Sequence, residues 1–182
     1  MSTYQMAAAL APLRIIGPPS ATAATVSANL VKMGAAPLFV NQMFVPLWNE
    51  ALDHVIDPVG MVAQSYKETA AGRFTGAVTP QFYNTAGIKV RHLGKFPGMD
   101  DGDRPLAHAQ FSSWWIGARA HAQHLRAYAG CAVPDIEIVD PRYWLVFGKH
   151  AAVNFEDLSG KWAPAADYGT SLVAIARKLQ AA

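Results

Sequence analysis

Apolar positions along this chain recur every three to four residues in several separate runs, most of them opened by a capping residue and closed by a glycine. The first run begins at Ser20, which can cap a helix reaching about Met33, where Gly34 stops it. Pro37 opens a second run carrying Phe39, Val40, Met43, Phe44, Leu47, Trp48, Leu52 and Val55. Pro46 inside it predicts a split or a kink, because proline removes an amide donor from the helical ladder. Asp57-Pro58 is a helix start, with Asp57 as N-cap and Pro58 in the first helical position. Val59, Val62, Ala63 and Tyr66 then share a face, and Gly72 ends the helix. From 73 to 111 the helical spacing disappears. Gly76, Gly87, Gly94, Gly98 and Gly102 break up short runs such as Ile88-Lys89-Val90, which predicts loops and a small β-lobe. Helical spacing resumes with Ser112 or Ser113 as cap, places Trp115, Ala118, Ala122 and Leu125 on one face, and closes at Gly130. Asp140-Pro141 starts a short helix through Phe147, and Tyr168, Leu172, Ile175 and Leu179 mark the last one. The predicted fold class is mostly α (α+β). It consists of an N-terminal arm or packed lead-in over 1–19, ending in Gly17-Pro18-Pro19, and a single helical domain over 20–182 with an irregular β-lobe.

Composition narrows the functional classes. With 182 residues, 52% of them apolar and 15% charged, the chain can bury one core and wholesale disorder is excluded. A formal charge of +2 gives no reason to expect nucleic acid, although a mildly basic surface suits an anionic polymer. No window approaches the ~18 unbroken apolar residues of a membrane span. The apolar run Met6 to Ala11 has no preceding lysine or arginine, so no signal peptide is expected. Cys131 is the lone cysteine, which rules out an internal disulfide and predicts a buried, inert thiol.

Candidate chemistry centres on Glu68, placed in the last turn of the helix that starts at Asp57-Pro58. There the negative end of the helix dipole and partial burial both disfavour a carboxylate and favour the protonated acid. The plainer alternative is a helix-end carboxylate paired with Lys67 or Arg73. Asp100, Asp101 and Asp103 cluster in the glycine-rich segment, as a water-holding base or as a solvated turn. His121 and His124 lie three apart on one helix with His108 upstream. Their spacing is not that of a His-Glu-x-x-His zinc site and no cysteine pair supports a structural one, so no metal and no cofactor is expected.

Four blocks occur in order: Ala63-Gln64 with Glu68-Thr69; Asn84 with Gly87-Ile88-Lys89; Phe111-Ser112-Ser113 leading to His121, Leu125 and Tyr128; and Gly160-Lys161-Trp162-Ala163 followed by Tyr168. Over residues 37 to 180 this order resembles the glucosaminidase family of the lysozyme-like superfamily, the cell-wall hydrolases of bacterial autolysins and phage lysins. The resemblance departs at Ala70-Ala71, where a bulky residue is usual, and at Lys67, where an apolar one is common. It implies a lysozyme-like helical domain with a small β-lobe, and an endo-β-N-acetylglucosaminidase acting on bacterial peptidoglycan. Glu68 would be the general acid, and Phe74, Asn84, Lys89, Trp162 and Tyr168 would bind substrate; for the second catalytic group the acidic cluster offers Asp101 or Asp103, with assistance by the substrate's own N-acetyl group left open. Muramidase, lytic transglycosylase and a structural phage-tail component with weak or no activity are the alternatives it leaves open. It also implies phage tail proteins as partners, and a place in the virion or in the host cytoplasm before release to the wall. Among the aromatics Tyr66, Phe74, Trp114, Trp115, Tyr143, Trp144, Trp162 and Tyr168, most are expected in the core, with Trp162 and Tyr168 the best candidates beside a cleft. Asn84 either hydrogen-bonds an acetamido group or caps a turn.

Overall fold

The computed structural model describes residues 11–90, 105–134, 137–149 and 151–181. Helix α1 (Ala23–Lys32) is capped by Thr22, whose hydroxyl accepts from the Thr25 amide at 3.1 Å. Ser20 is not the cap, because its own amide donates to Asp57 Oδ1 at 3.2 Å. The second apolar run divides as its proline requires. A single wide turn of π-helix (Phe39–Met43) runs directly into α2 (Phe44–Asp53), and Pro46 falls in the first turn of α2, just after that wide turn.

Helix α3 (Pro58–Glu68) starts where Asp57 predicts, with the Asp57 carboxylate accepting from the Val59 amide at 3.0 Å. It is buried from Pro58 to Ser65 and packs against α2 on one side and the C-terminal helix α6 (Tyr168–Gln180) on the other. Helix α4 (Trp114–Tyr128) is capped by Ser113 and lies against α2. It buries Ala118, Ala122 and Leu125 as expected, but turns Trp114 inward and leaves Trp115 45% exposed. Helix α5 (Tyr143–Val146) is a single turn, shorter than the run from Asp140 to Phe147. Asp140 instead holds the Arg142 amide at 2.9 Å and the His124 ring, so it closes a local turn and caps no long helix.

Leu13 and Ile15, in the segment the sequence sets apart as an arm, are core residues. Their backbone runs between two others: the Ile15 amide bonds Val153 O at 3.0 Å, Asp57 N bonds Ile15 O at 3.0 Å, and Phe155 N bonds Leu13 O at 2.8 Å. The region expected as a β-lobe contains no sheet among the described residues. Its described part consists of 3-10 turns at Pro80–Phe82 and Pro105–Ala107 and one antiparallel bridge, Lys89 with His108. A small apolar cluster of Ala86, Ile88, Ala109 and Ala120 anchors it to α4. Two runs this short, separated by glycines, cannot build a ladder beyond a single pairing. One glycine fixes how closely the region docks: a Cβ on Gly117 of α4 would lie 1.7 Å from the Tyr83 carbonyl oxygen.

Candidate active site

Glu68 is the last residue of α3, and the chain leaves it through strained backbone. Ala70, Ala71 and Phe74 all have positive φ (50°, 59° and 51°), a region costly for residues with a Cβ. This sharp exit puts Glu68 on the wall of a cavity of about 470 Å³ that is also lined by Phe74, Asn84, Gly87, Lys89, His108 and Trp162. Among the described residues Glu68 is the only carboxylate there.

A chain of buried polar side chains stands behind Glu68. Tyr168 Oη donates to Glu68 Oε1, and Gln64 Nε2 donates to Tyr168 Oη at 3.0 Å. Gln64 Oε1 lies 2.9 Å from His121 Nε2, and His121 Nδ1 lies 3.3 Å from Thr85 Oγ1. Gln64, His121 and Thr85 are fully buried. Burial lowers the His121 pKa to about 3, with the neighbouring His124 contributing, so the imidazole is neutral at ordinary pH. A neutral ring that gives its Nε2 proton to Gln64 leaves Nδ1 as an acceptor beside the Thr85 hydroxyl, which also reaches Gly117 O at 3.4 Å. From His121 onward the donors point toward Glu68, ending with the tyrosine hydroxyl.

The two carboxyl oxygens have different surroundings, and the Trp162 side chain also hydrogen-bonds the carboxyl group. Oε1 is taken by Tyr168, while Oε2 faces the cavity wall at Gly87, where an added Cβ would sit 3.8 Å from it. Burial raises the Glu68 pKa above the ordinary carboxylate value, while hydrogen bonding from Tyr168, the charge of Lys67 and the Trp162 side chain pull it back. Burial thus works toward the acid form, and the same three groups work toward its conjugate base. Lys67 itself lies over the Tyr168 ring, 5.4 Å from its centroid.

No family model matches the chain. An uncharacterized protein of Borreliella burgdorferi is 32% identical over 125 residues, covering 69% of this chain and 55% of that protein. The chain thus spans about half the length of the curated relative it matches. Among solved structures, the catalytic domain of the autolysin Auto from Listeria monocytogenes superposes with a TM-score of 0.47 at 18% identity, covering 88% of this chain and 87% of that one. Autolysin E of S. aureus, in complex with the muropeptide NAM-L-Ala-D-iGlu, gives a TM-score of 0.49 at 10% identity, covering 92% of this chain and 70% of that one. Overlap of this depth leaves the chemistry to be argued from this chain's own residues.

The remaining expected site residues divide by what their polar atoms already do. Trp162 stands on the cavity wall, its ring 5.0 Å from that of His124, 5.5 Å from Tyr128 and 5.7 Å from His121. Phe74 lines the cavity and leans on Trp114. Lys89 reaches it from the bridge with His108. Asn84 also borders it, but its amide is fully engaged within the chain. Nδ2 donates to Ile88 O and Ala109 O, and Oδ1 accepts from the Ala86 and Ile88 amides, so Asn84 closes the 84–88 turn and has no hydrogen bond left for an acetamido group. Asp100, Asp101 and Asp103 lie outside the described residues. Tyr66 bonds Met33 O, and Trp114 bonds Gln42, both away from the cavity. His124 is held by Asp140 at 2.7 Å, and no group of three or more potential metal ligands exists among the described residues. Cys131 is half-buried, not fully buried as expected, and its thiol reaches Ala129 O. The chain of Thr85, His121 and Gln64 was not foreseen. Its members are far apart in sequence, and the only signal was two polar residues, Gln64 and His121, on otherwise apolar helix faces.

Proposed function

We propose that this protein hydrolyses the glycan strands of bacterial peptidoglycan as an endo-β-N-acetylglucosaminidase, with Glu68 as general acid. The observation that carries the reading is the pair of unlike environments on one carboxyl group. Oε1 is fixed by a buried tyrosine, and Oε2 is turned to a groove walled by a tryptophan. The ordered sequence blocks around Glu68, Lys89 and Trp162 support peptidoglycan as the polymer. In the reaction Glu68 Oε2 gives its proton to the glycosidic oxygen as the C–O bond breaks, and the sugar ring develops oxocarbenium character. The charge left on Glu68 is met by Tyr168, Lys67 and Trp162. A water oxygen then bonds the anomeric carbon. We assign its activation to Asp101 or Asp103, or to the substrate's own acetamido oxygen, with the surplus proton restoring Glu68 or leaving to solvent.

The test is digestion of purified peptidoglycan by wild type and Glu68→Gln, with mass spectrometry of the fragments. Wild type should release reducing N-acetylglucosamine ends, and Glu68→Gln should be slower by roughly 10²–10⁴-fold. Anhydro-muramic ends would make the protein a lytic transglycosylase, and no release from several wall types would rule out the enzyme reading.

A further inference from the structure

A second cavity, of about 340 Å³, adjoins the first and shares Ala86, Gly87, Lys89 and Trp162 with it. Trp162 therefore stands between the two spaces. The second is cationic: Lys89, Arg142 and Lys161 line it beside His124, and no carboxylate does so among the described residues. Asp140, the partner of the lining His124, is buried and holds both His124 Nδ1 and the Arg142 amide. Lys161 is anchored through Nζ to Ala151 O. Tyr128 donates to Lys161 O at 2.9 Å, and burial pushes its pKa up to about 12, so its hydroxyl adds no negative charge. Arg142 differs from the others. Its Nη1 is buried and has no hydrogen-bond partner. A guanidinium nitrogen out of water without an acceptor is unfavourable unless a ligand supplies one.

We propose that this cavity is an anion subsite, with Arg142 as its principal ligand, for a carboxylate carried on the sugar beside the cleaved bond. The assignment rests on the glycan-strand reading above. In peptidoglycan every second sugar bears a lactyl ether, which ends either in a carboxylate or in a peptide with acidic residues. Such a substituent projects from the strand, and the second cavity adjoins the Glu68 groove at Trp162, Gly87 and Lys89. A planar guanidinium fork suits a carboxylate better than it suits a neutral sugar hydroxyl.

Calorimetric titration of the full chain carrying Glu68→Gln tests this with three probes: the N-acetylglucosaminyl-N-acetylmuramyl disaccharide with its stem peptide, the same disaccharide with a free lactyl carboxylate, and neutral chitotetraose. One or both carboxylate ligands should bind tighter than chitotetraose by on the order of tenfold, and the one that gains identifies the source of the anion. Adding Arg142→Gln should abolish that advantage without changing chitotetraose binding, and Arg142→Lys should restore part of it. No preference for either carboxylate ligand, or equal weakening of all three by Arg142→Gln, would overturn the subsite. Digestion by the wild type separates the two readings. Strand cleavage without an Arg142-dependent preference leaves the glycosidase standing alone, and an Arg142-dependent preference without cleavage leaves the subsite standing alone.

Discussion

At the scale of single residues, Glu68 is governed by two opposed influences, and changing one should move its titration in a known direction. The Tyr168 hydroxyl bond lowers the Glu68 pKa against the upward push of burial. Tyr168→Phe removes that bond, so the acid form should persist to higher pH. The alkaline limb of the rate profile is expected to shift upward while kcat falls about tenfold, since the conjugate base loses a donor. A profile that keeps its alkaline limb in place would exclude a role for the tyrosine in tuning the acid. His121 gives a stability prediction of the opposite sense. Its folded pKa is depressed to about 3 by burial, so its contribution is present above the unfolded value of 6.5 and is lost as pH falls toward 3. His54, also lowered by burial, acts in the same direction. His121→Gln should flatten the loss of stability between pH 6 and 4 by up to ~1.4 kcal/mol per pH unit, measured by urea unfolding at each pH. The prominence of Glu68 was legible from its place at a helix end before a glycine-rich stretch. Its partners were not, because Gln64, Thr85, His121 and Tyr168 come from α3, the 84–88 turn, α4 and α6 and meet only after all four have packed, and no local spacing encodes that meeting.

At the scale of elements, caps made the helices readable. Asp57 and Ser113 start α3 and α4 where their side chains can satisfy free amides. Where a polar residue had a tertiary use, the reading failed: Ser20 and Asp140 serve other segments, so α1 starts later and α5 is shorter than their side chains suggest. The irregular segment was identified as irregular, but a β-lobe overstated its order among the described residues. Its position depends on contact with α4 at Gly117. Gly117→Ala must separate α4 from the Tyr83 carbonyl, and a loss of ~1–3 kcal/mol is expected in chemical denaturation. Because the same turn leads into Thr85, the variant should also lose activity at temperatures where it remains folded.

At the scale of the molecule, α3 is the axis on which the other parts are assembled, and the segment over 11–17 acts as a clasp that joins 153–155 to 55–57 just ahead of it. Ile15 is fully buried in that clasp, so Ile15→Ala should destabilise the whole chain by ~2–5 kcal/mol in denaturant unfolding, as a core truncation does. An arm packed on the surface would lose far less. The mostly helical class followed from apolar spacing alone. The clasp did not, because its few apolar residues have no periodicity and owe their burial to strangers in sequence. Trp162, shared by the two cavities, has a further consequence. Trp48 and Trp114 are buried and Trp115 and Trp144 are largely exposed, so of the five indoles only Trp162 borders both spaces. Ligand occupying either space is therefore expected to change the emission of Trp162 more than that of the other four indoles, which gives binding an optical readout in the native protein.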